Sequence, residues 1–240
     1  DINGFHVTRE HALEAMAKAK NGIVEEGAVG GGTGMVCNGF KGGIGTSSRV
    51  FDAMGNQFTV GVLVQCNYNW GGDDLRLGGK AVSGLLPVGN HCFTDRSIQR
   101  HVDWYPYCEA SGNDELTPAT RDGSIIIVVA TDAPLLPHQL RRLAKRPSLG
   151  LGRLGAISSG GSGDIFIAFS TANAGQVSEN EKSMIYMYPN NGLSEVFKAT
   201  VQATEEAIVN AMVAAETVTG ASGFRVQGIP KEQVRRIFSD

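Results

Sequence analysis

A Gly-Ser pair precedes the most apolar run of the sequence, and it offers a route to a self-activated nucleophile. Gly123 and Ser124 are followed at once by five branched apolar residues, 125–129. If the bond before Ser124 breaks, the serine gains an α-amine, with a pKa of about 8 in free peptides, within reach of its own Oγ. Gly123 has no Cβ to obstruct attack on its carbonyl, and it tolerates a strained backbone. An ordinary loop-to-strand junction has the same pattern, so the pair alone leaves both interpretations open.

Other motifs for catalysis or nucleotide binding fail on spacing. A phosphate loop needs Ser or Thr after its lysine, but Lys41 is followed by glycine. The glycines of residues 26–50 miss the GxGxxG register, so tight turns explain them better than a ligand cradle. Residues 160–164 only approach a GxSxG elbow, and His138 lies in a predicted helix with nothing to mark it as a general base.

The composition argues against several classes of partner. The 240 residues carry 21 Lys+Arg and 24 Asp+Glu, a net charge of −3, which gives no electrostatic reason to expect nucleic acid or an anionic membrane. No apolar run approaches the roughly 20 residues that cross a bilayer. No signal peptide is visible, so we expect a cytoplasmic location. A periplasmic location is the alternative, because the chain begins without Met, as a fragment would.

The cysteines show neither a CxxC pair nor a dense framework, so the sequence predicts reduced and mostly buried thiols. They are Cys37, Cys66, Cys92 and Cys108. A zinc site could be imagined among two histidines and two of these cysteines, but the spacing matches no familiar zinc motif. That set is His91, Cys92, His101 and Cys108.

The hydrophobic periodicity predicts a layered α/β architecture that would hold Ser124 at the start of a central strand. Buried or alternating runs predict strands over residues 47–51, 58–67, 124–132 and 163–173. Residues 88–122 have little periodicity and are predicted to form a long irregular excursion, a feature that is uncommon unless it is functional, mobile or processed.

Capping residues and spacing predict the helices. Thr8 caps a helix through about Lys20, whose small-residue face should pack closely on a sheet. Pro137 opens a helix that ends at Pro147. Ser194 caps a long helix that stops at Gly220, with an apolar face that includes Phe197, Val201, Ile208 and Met212. A last short helix begins at Pro230.

Five stretches, in order along the chain, resemble the L-aminopeptidase/D-esterase (DmpA-like) family, which includes the β-peptidyl aminopeptidases. They are EGAVGGGTGM, FKGGIGTSSRV, GVLVQCN, DGSIIIVVATDAPL and GSGDIFIAFSTAN. The resemblance implies an αββα four-layer sandwich like that of the amino-terminal nucleophile hydrolases. It also implies an inactive precursor that cuts itself before a serine, after which the two chains stay together.

The resemblance implies roles for named residues. Ser124 matches the nucleophile that is freed by cleavage at Gly123–Ser124. Ser162 and Asp164 match the serine and the acidic residue that orient and activate it; the family often has Glu at the acidic position, so Asp164 is a shorter version. Asn67 matches the asparagine whose amide stabilises the oxyanion. From the residues alone, Ser162 and Asn67 would be turn residues and Asp164 a strand cap.

The function implied is that of a self-processing serine aminopeptidase that hydrolyses N-terminal residues from short peptides, amides or esters, without a metal or an organic cofactor. We expect one N-terminally incomplete domain over residues 1–240, because the family carries a substantial region before the point that matches Asp1. Residues 1–123 would be the C-terminal part of an α chain, residues 124–240 its cleaved partner β chain, and the two-chain unit part of a homo-oligomer.

Two alternatives remain. The chain could be an inactive or truncated homologue with a structural or binding role. It could also be an acyltransferase of the ornithine acetyltransferase type, although those enzymes cut before Thr and this chain has Ser124.

Overall fold

A computed structural model describes residues 2–97, 105–108, 123–220 and 223–239. Its strands are β1 (Val36–Cys37), β2 (Phe40–Lys41), β3 (Ile44–Ala53), β4 (Asn56–Asn67), β5 (Arg76–Leu77), β6 (Lys80–Ala81), β7 (Cys92–Phe93), β8 (Ser124–Thr131), β9 (Ile165–Ser170), β10 (Val218–Thr219) and β11 (Phe224–Val226). Its helices are α1 (Arg9–Ala17), α2 (Pro137–Leu143), α3 (Pro147–Arg153), α4 (Leu193–Ala214) and α5 (Lys231–Ile237), with 3₁₀ turns at Ile2–Gly4, Gly30–Gly32 and Asn190–Gly192.

The main sheet has the strand order β3-β4-β8-β9. β3 and β4 form an antiparallel hairpin through Met54 and Gly55, which both have positive φ, as a tight hairpin turn requires. β8 pairs antiparallel with β4 on one side and parallel with β9 on the other. β8 is therefore the predicted central strand, and its neighbours fix its register on both sides.

One face of this sheet is covered by helices. Alternate residues of β4 and β8, such as Val62 and Ile127, are buried on that face, where α4 packs across β3 and β4. The contact is close because α4 presents a stripe of small buried side chains and β3 has Gly45 opposite it, where a Cβ would lie 2.8 Å from that of Ala211. α3 packs on α4, which completes a helical layer.

The opposite face of the sheet, called here the open face, is apolar but exposed. Ile126, Ile165, Ile167 and Phe169 lie on it with between 37% and 52% of each side chain accessible. The main sheet and the helices that cover it thus correspond to two layers of the predicted sandwich. No helix among the described residues is long and apolar enough to cross a bilayer.

The strand and helix positions agree with the predictions, but several ends differ. The strand predicted over 47–51 extends over Ile44–Ala53, and the strand predicted over 163–173 is confined to Ile165–Ser170. α4 is capped by Gly192 rather than Ser194 and ends at Ala214, because the β-branched residues that follow form β10.

The helical faces also depart from the prediction. On α4, Ile208 and Met212 are buried, whereas Phe197 and Val201 are only half-buried, because the buried stripe runs instead through small residues such as Ala203. Thr8 does precede α1, but no residue of α1 is buried, so the predicted close packing on a sheet is not found in the described structure.

The prediction of reduced thiols is wrong. Cys37, in β1, is bonded to Cys66, in β4, and this bond is called here the hairpin disulfide. Cys92 is bonded to Cys108. Tertiary contacts bring the Cα atoms to 5.5 and 4.9 Å across 29 and 16 residues, so sequence spacing gave no sign of the pairing. The second disulfide also removes two ligands from the imagined zinc site, whose His101 lies outside the described residues.

Candidate active site

Ser124 begins the central strand and lies directly opposite Asn67, the last residue of β4. Both residues are half-buried, and the alternation of β8 places Ser124 on the open face, because Ile125 is buried against the helices. The Ser124 Oγ accepts a hydrogen bond of 2.8 Å from the backbone N–H of Gly163. The hydroxyl is therefore held at one end of a rigid sheet, with its position fixed by two other segments of the chain.

Gly123 has a backbone that side chains oppose. Its φ is +141°, and a Cβ at this residue would lie 2.5 Å from the carbonyl oxygen of Asn67 and 2.8 Å from the Cα of Tyr68. Only glycine fits such a position without a shift of the chain. The residue whose carbonyl Ser124 would attack thus lies close to the end of β4, in a backbone conformation that would be strained for any other residue.

The Asp164 carboxylate collects three hydrogen-bond donors immediately before β9. Its Oδ1 accepts from the backbone N–H of Ile125 at 3.1 Å and from the Ser162 hydroxyl at 2.7 Å, and its Oδ2 accepts from the Ser158 hydroxyl at 3.0 Å. Because the Ser162 proton points at the carboxylate, the oxygen lone pairs of Ser162 are directed away from it. This carboxylate therefore orients a hydroxyl and also holds the strand that starts with Ser124.

The Asn67 amide is held by a different segment. Its Oδ1 accepts a 3.0 Å hydrogen bond from the backbone N–H of Val36, in β1. Only the oxygen of the amide can accept, so this bond fixes the orientation of the group and leaves its NH₂ to donate. The hairpin disulfide, between Cys37 and Cys66, anchors the two segments at the residues adjacent to this hydrogen bond.

A small cavity of about 30 Å³ lies behind the carboxylate, enough for one water molecule. Its walls include Tyr68, Asp74, Ser158, Ser162 and Asp164. Burial raises the pKa of Tyr68, and the nearby charge of Asp164 adds to the effect, while a 2.8 Å hydrogen bond from Asn38 opposes it. Tyr68 is therefore neutral at any physiological pH and supports the wall as a packed phenol.

The model of Peptidase family S58 matches residues 1–226. The chain belongs to Peptidase family S58. This S58 chain is 51% identical over 243 residues to the beta-peptidyl aminopeptidase BapA of Sphingosinicella microcystinivorans, and 43% identical over 246 residues to that of Sphingosinicella xenopeptidilytica. Both matches cover 99% of this chain but only 57% and 56% of the relatives.

Solved structures confirm the fold class for the S58 chain. A beta-aminopeptidase of Burkholderia sp. matches with a TM-score of 0.74 and 41% identity, over 100% of this chain and 60% of its own. The L-aminopeptidase D-Ala-esterase/amidase of Ochrobactrum anthropi, described as a new variant among the Ntn hydrolase fold, matches with a TM-score of 0.77 and 40% identity, over 100% of this chain and 59% of its own. The family resemblance found in the sequence is therefore confirmed.

The S58 chain brings the four predicted residues to one end of its main sheet. Ser124 and Asn67 are cross-strand partners, while Ser162 and Asp164 are hydrogen-bonded to each other. Asp164 reaches the strand of Ser124 through Ile125, which shows that the shorter carboxylate can contact that strand.

Sequence reasoning missed two groups of the site. Ser158 contacts Asp164 from a loop six residues upstream, and nothing in its spacing indicates that contact. The Gly163 N–H was also missed, although its signal was present: a glycine between Ser162 and Asp164 lets the backbone approach Ser124, and a Cβ there would lie 3.2 Å from Oγ. Within the described ranges, no cluster of three or more His, Cys, Asp or Glu side chains could hold a metal ion.

Proposed function

We propose that the complete protein is a self-processing serine aminopeptidase with Ser124 as its nucleophile. The observation that carries the proposal is the meeting, at one end of the sheet, of the Ser124 hydroxyl, the Asn67 amide and the hydrogen-bonded pair of Ser162 and Asp164. An isolated serine at the start of a strand would need none of these neighbours. A nucleophile needs a base, an orienting group and a donor for the oxyanion, and these residues supply each of them.

Self-cleavage would precede catalysis. The Ser124 Oγ attacks the carbonyl carbon of Gly123, the C–N bond to the Ser124 nitrogen breaks, and the proton of the hydroxyl passes to that nitrogen. The product is an ester between Gly123 and Ser124, which water hydrolyses to a free carboxylate and a free α-amine. The φ of +141° at Gly123 supports this step, because glycine keeps its carbonyl next to Ser124 in a backbone conformation that other residues could not hold.

Turnover would reuse the same atoms. The freed α-amine accepts the proton of the Ser124 hydroxyl as Oγ attacks the substrate carbonyl, and it returns the proton to the leaving amine. The Asn67 NH₂ donates to the oxyanion, a contact that is typically worth a factor of about 10² to 10³ in kcat. Asp164 stabilises the ammonium that forms, both directly and through Ser162. Water then releases the acyl group, and no cofactor takes part.

We propose peptides, amides or esters with an N-terminal β-amino acid as the first substrates to test. The two curated relatives are beta-peptidyl aminopeptidases, and one of them is 51% identical to this chain. Short α-peptides are the second class, because the Ochrobactrum anthropi neighbour is an L-aminopeptidase. We further propose that residues 1–123 and 124–240 remain together as two chains in a homo-oligomer, and that a second sheet covers the open face in the complete protein.

The decisive experiment is intact mass with amino-terminal sequencing of the full-length protein, beside a Ser124→Ala variant. We expect a fragment that begins Ser-Ile-Ile-Ile in the wild type and none in the variant. Ser148→Ala, which alters an exposed serine of α3, is the matched control and should be cut normally. Hydrolysis of β-alanyl, L-alanyl and D-alanyl p-nitroanilides then ranks the substrates. An uncut wild type without hydrolysis would favour the inactive homologue with a binding role.

A further inference from the structure

Lys41 is a buried cation in residues 26–50, called here the glycine-rich segment. Its side chain is 2% exposed, and Nζ donates to three backbone carbonyls, of Gly32 at 3.1 Å, Met35 at 2.7 Å and Gly42 at 2.8 Å. All three ammonium protons therefore have partners. No carboxylate pairs with Lys41 in the part of the chain that the structure describes. Burial of a charge without a counter-ion is costly, so a neutral residue at this position would be favoured unless the charge has a use.

The carbonyl of Met35 connects this cation to the candidate site. It belongs to the same peptide unit as the Val36 N–H, which donates to the Asn67 Oδ1 at 3.0 Å. One planar peptide therefore lies between the ammonium and the amide. A rotation of this peptide would break both hydrogen bonds together. A charged donor on the carbonyl also polarises the peptide, which strengthens the hydrogen bond that its N–H donates.

We propose that Lys41 is a positioning residue, which holds the Met35–Val36 peptide so that the Asn67 amide presents its NH₂ to the oxyanion; this inference rests on the proposed function. Lys41 touches no reacting atom in this arrangement. Its effect reaches the substrate only through Asn67. That indirect route separates this role from a general contribution of Lys41 to the packing of the glycine-rich segment.

A double-mutant cycle in the full-length protein tests the proposal. Lys41→Met keeps the aliphatic stem and removes the charge, and we expect kcat to fall about 10-fold while KM changes less than 2-fold. In an Asn67→Ala background, the same substitution should change kcat by less than 2-fold. A coupling of 10-fold corresponds to about 1.4 kcal/mol. Equal losses in both backgrounds would overturn the inference.

Two further variants keep the test decisive. Lys41→Gln loses the charge but retains two N–H donors for the carbonyls, so it is used if Lys41→Met does not fold. Because one of those donors can still hold the Met35 carbonyl, we expect a coupling above 2-fold but smaller than that of Lys41→Met. Thr204→Val removes a buried hydroxyl from α4, away from the site, and controls for lost stability. We expect Thr204→Val to leave kcat unchanged relative to the parent protein of each background. An equal loss of kcat in it and in the Lys41 variants would reduce Lys41 to a structural residue.

Failure of the inference is distinguishable from failure of the proposed function. Hydrolysis that survives Ser124→Ala would overturn the proposed function itself. Hydrolysis that depends on Ser124 and on Asn67, but not on Lys41, would overturn only this inference. Unchanged kcat in Asn67→Ala would also overturn the inference, because Lys41 would then have no oxyanion donor to position.

Discussion

Replacement of Asp164 by Asn should remove a charge from the candidate site with little change of shape. All three hydrogen bonds of the carboxylate can be kept: the Asn oxygen accepts from the Ile125 N–H and the Ser162 hydroxyl, while the third is reversed, with the Asn NH₂ donating to a rotated Ser158 hydroxyl. The variant should therefore fold and unfold much as the wild type does. Its lost activity then measures the electrostatic contribution of the carboxylate.

The size of the expected loss of kcat follows from the distance between the Asp164 carboxylate and the Ser124 nitrogen. The Ile125 nitrogen is 3.1 Å from the Asp164 Oδ1. Consecutive backbone nitrogens are roughly 3.6 Å apart in an extended chain, so the Ser124 nitrogen lies within about 7 Å of the carboxylate. At an effective dielectric constant of about 20, unit charges at about 6.5 Å attract by about 2.5 kcal/mol. A full charge would give about 70-fold, and because the ammonium is only partly formed in the transition state, we expect kcat to fall between about 10-fold and 50-fold.

The assay is the hydrolysis of β-alanyl p-nitroanilide, with turnover normalised to the cleaved fraction that intact mass reports. The acidic limb of the pH profile should also move to lower pH, because loss of the carboxylate lowers the pKa of the Ser124 ammonium. Asp132→Asn is the matched control: it makes the same change just beyond the other end of β8, where Asp132 accepts a 2.7 Å bond from the Thr59 N–H. Wild-type turnover in Asp164→Asn, or an equal loss in Asp132→Asn, would refute the reasoning.

Three other perturbations have defined outcomes. Gly123→Ala should slow self-cleavage in an intact-mass time course, because alanine cannot keep a φ of +141° and the carbonyl would leave the reach of Oγ; faster cleavage would contradict this. In the uncut Ser124→Ala background, serine in place of both cysteines of the hairpin disulfide should cost about 3 to 4 kcal/mol of unfolding free energy. In the self-cleaved protein the same change should lower kcat, whereas serine in place of both cysteines of the other disulfide should leave kcat intact. Burial lowers the pKa of Lys41 from 10.5 to about 8, so between these pH values the unfolded chain binds more protons. In a Ser124→Ala background, which stays uncut, the unfolding free energy of the protein with Lys41, relative to that with Lys41→Met, should therefore rise by up to about 3 kcal/mol across that range. An unchanged difference in urea midpoints would exclude the shift.

The sequence predicts the structure best where a few consecutive residues determine the conformation of one element. Five branched apolar residues after Ser124 are compatible with little except a buried strand, and β8 is that strand. The glycine before it was predicted to tolerate a backbone that is strained for other residues, and its φ is +141°. Both inferences depend on backbone sterics over a few consecutive residues, which local sequence determines.

Features that depend on distant segments were harder to predict. The pairing of Cys37 with Cys66 requires the docking of β1 on β4, and no spacing rule encodes it. The β1–β2 hairpin itself did carry a signal, since Asn38 and Gly39 form a tight turn with φ of 51° and 72° between apolar residues. Tight turns were predicted for the glycines of residues 26–50, but this one was not singled out among them, and the contact from Val36 to the Asn67 amide was therefore not predicted.

The residues of the candidate site likewise divide into those that local sequence identifies and those that depend on contacts between distant segments. Ser162 and Asp164 were identified only through the family resemblance, because each alone has an ordinary explanation in a turn or at a strand end. Ser158 was missed because its hydroxyl reaches Asp164 by a loop conformation with a φ of +46°, which nothing in the Ser-Ser-Gly-Gly sequence specifies. The catalytic roles of the residues were thus predicted from the family resemblance, whereas the positions of the strands and helices were predicted from hydrophobic pattern and capping residues.

The hydrophobic core is divided between the two sides of the Gly123–Ser124 bond. This division determines whether unfolding is reversible. β3 and β4 precede this bond, while β8 and α4 follow it, and α4 packs across β3 and β4. Before the cut, these parts find each other within one molecule, and folding is a first-order process. After the cut, the same core can be rebuilt only when two separate chains meet, so refolding becomes second-order and depends on concentration. Self-cleavage would therefore turn a reversible equilibrium into kinetic stability, with the mature protein persisting because it rarely opens rather than because it readily reassembles.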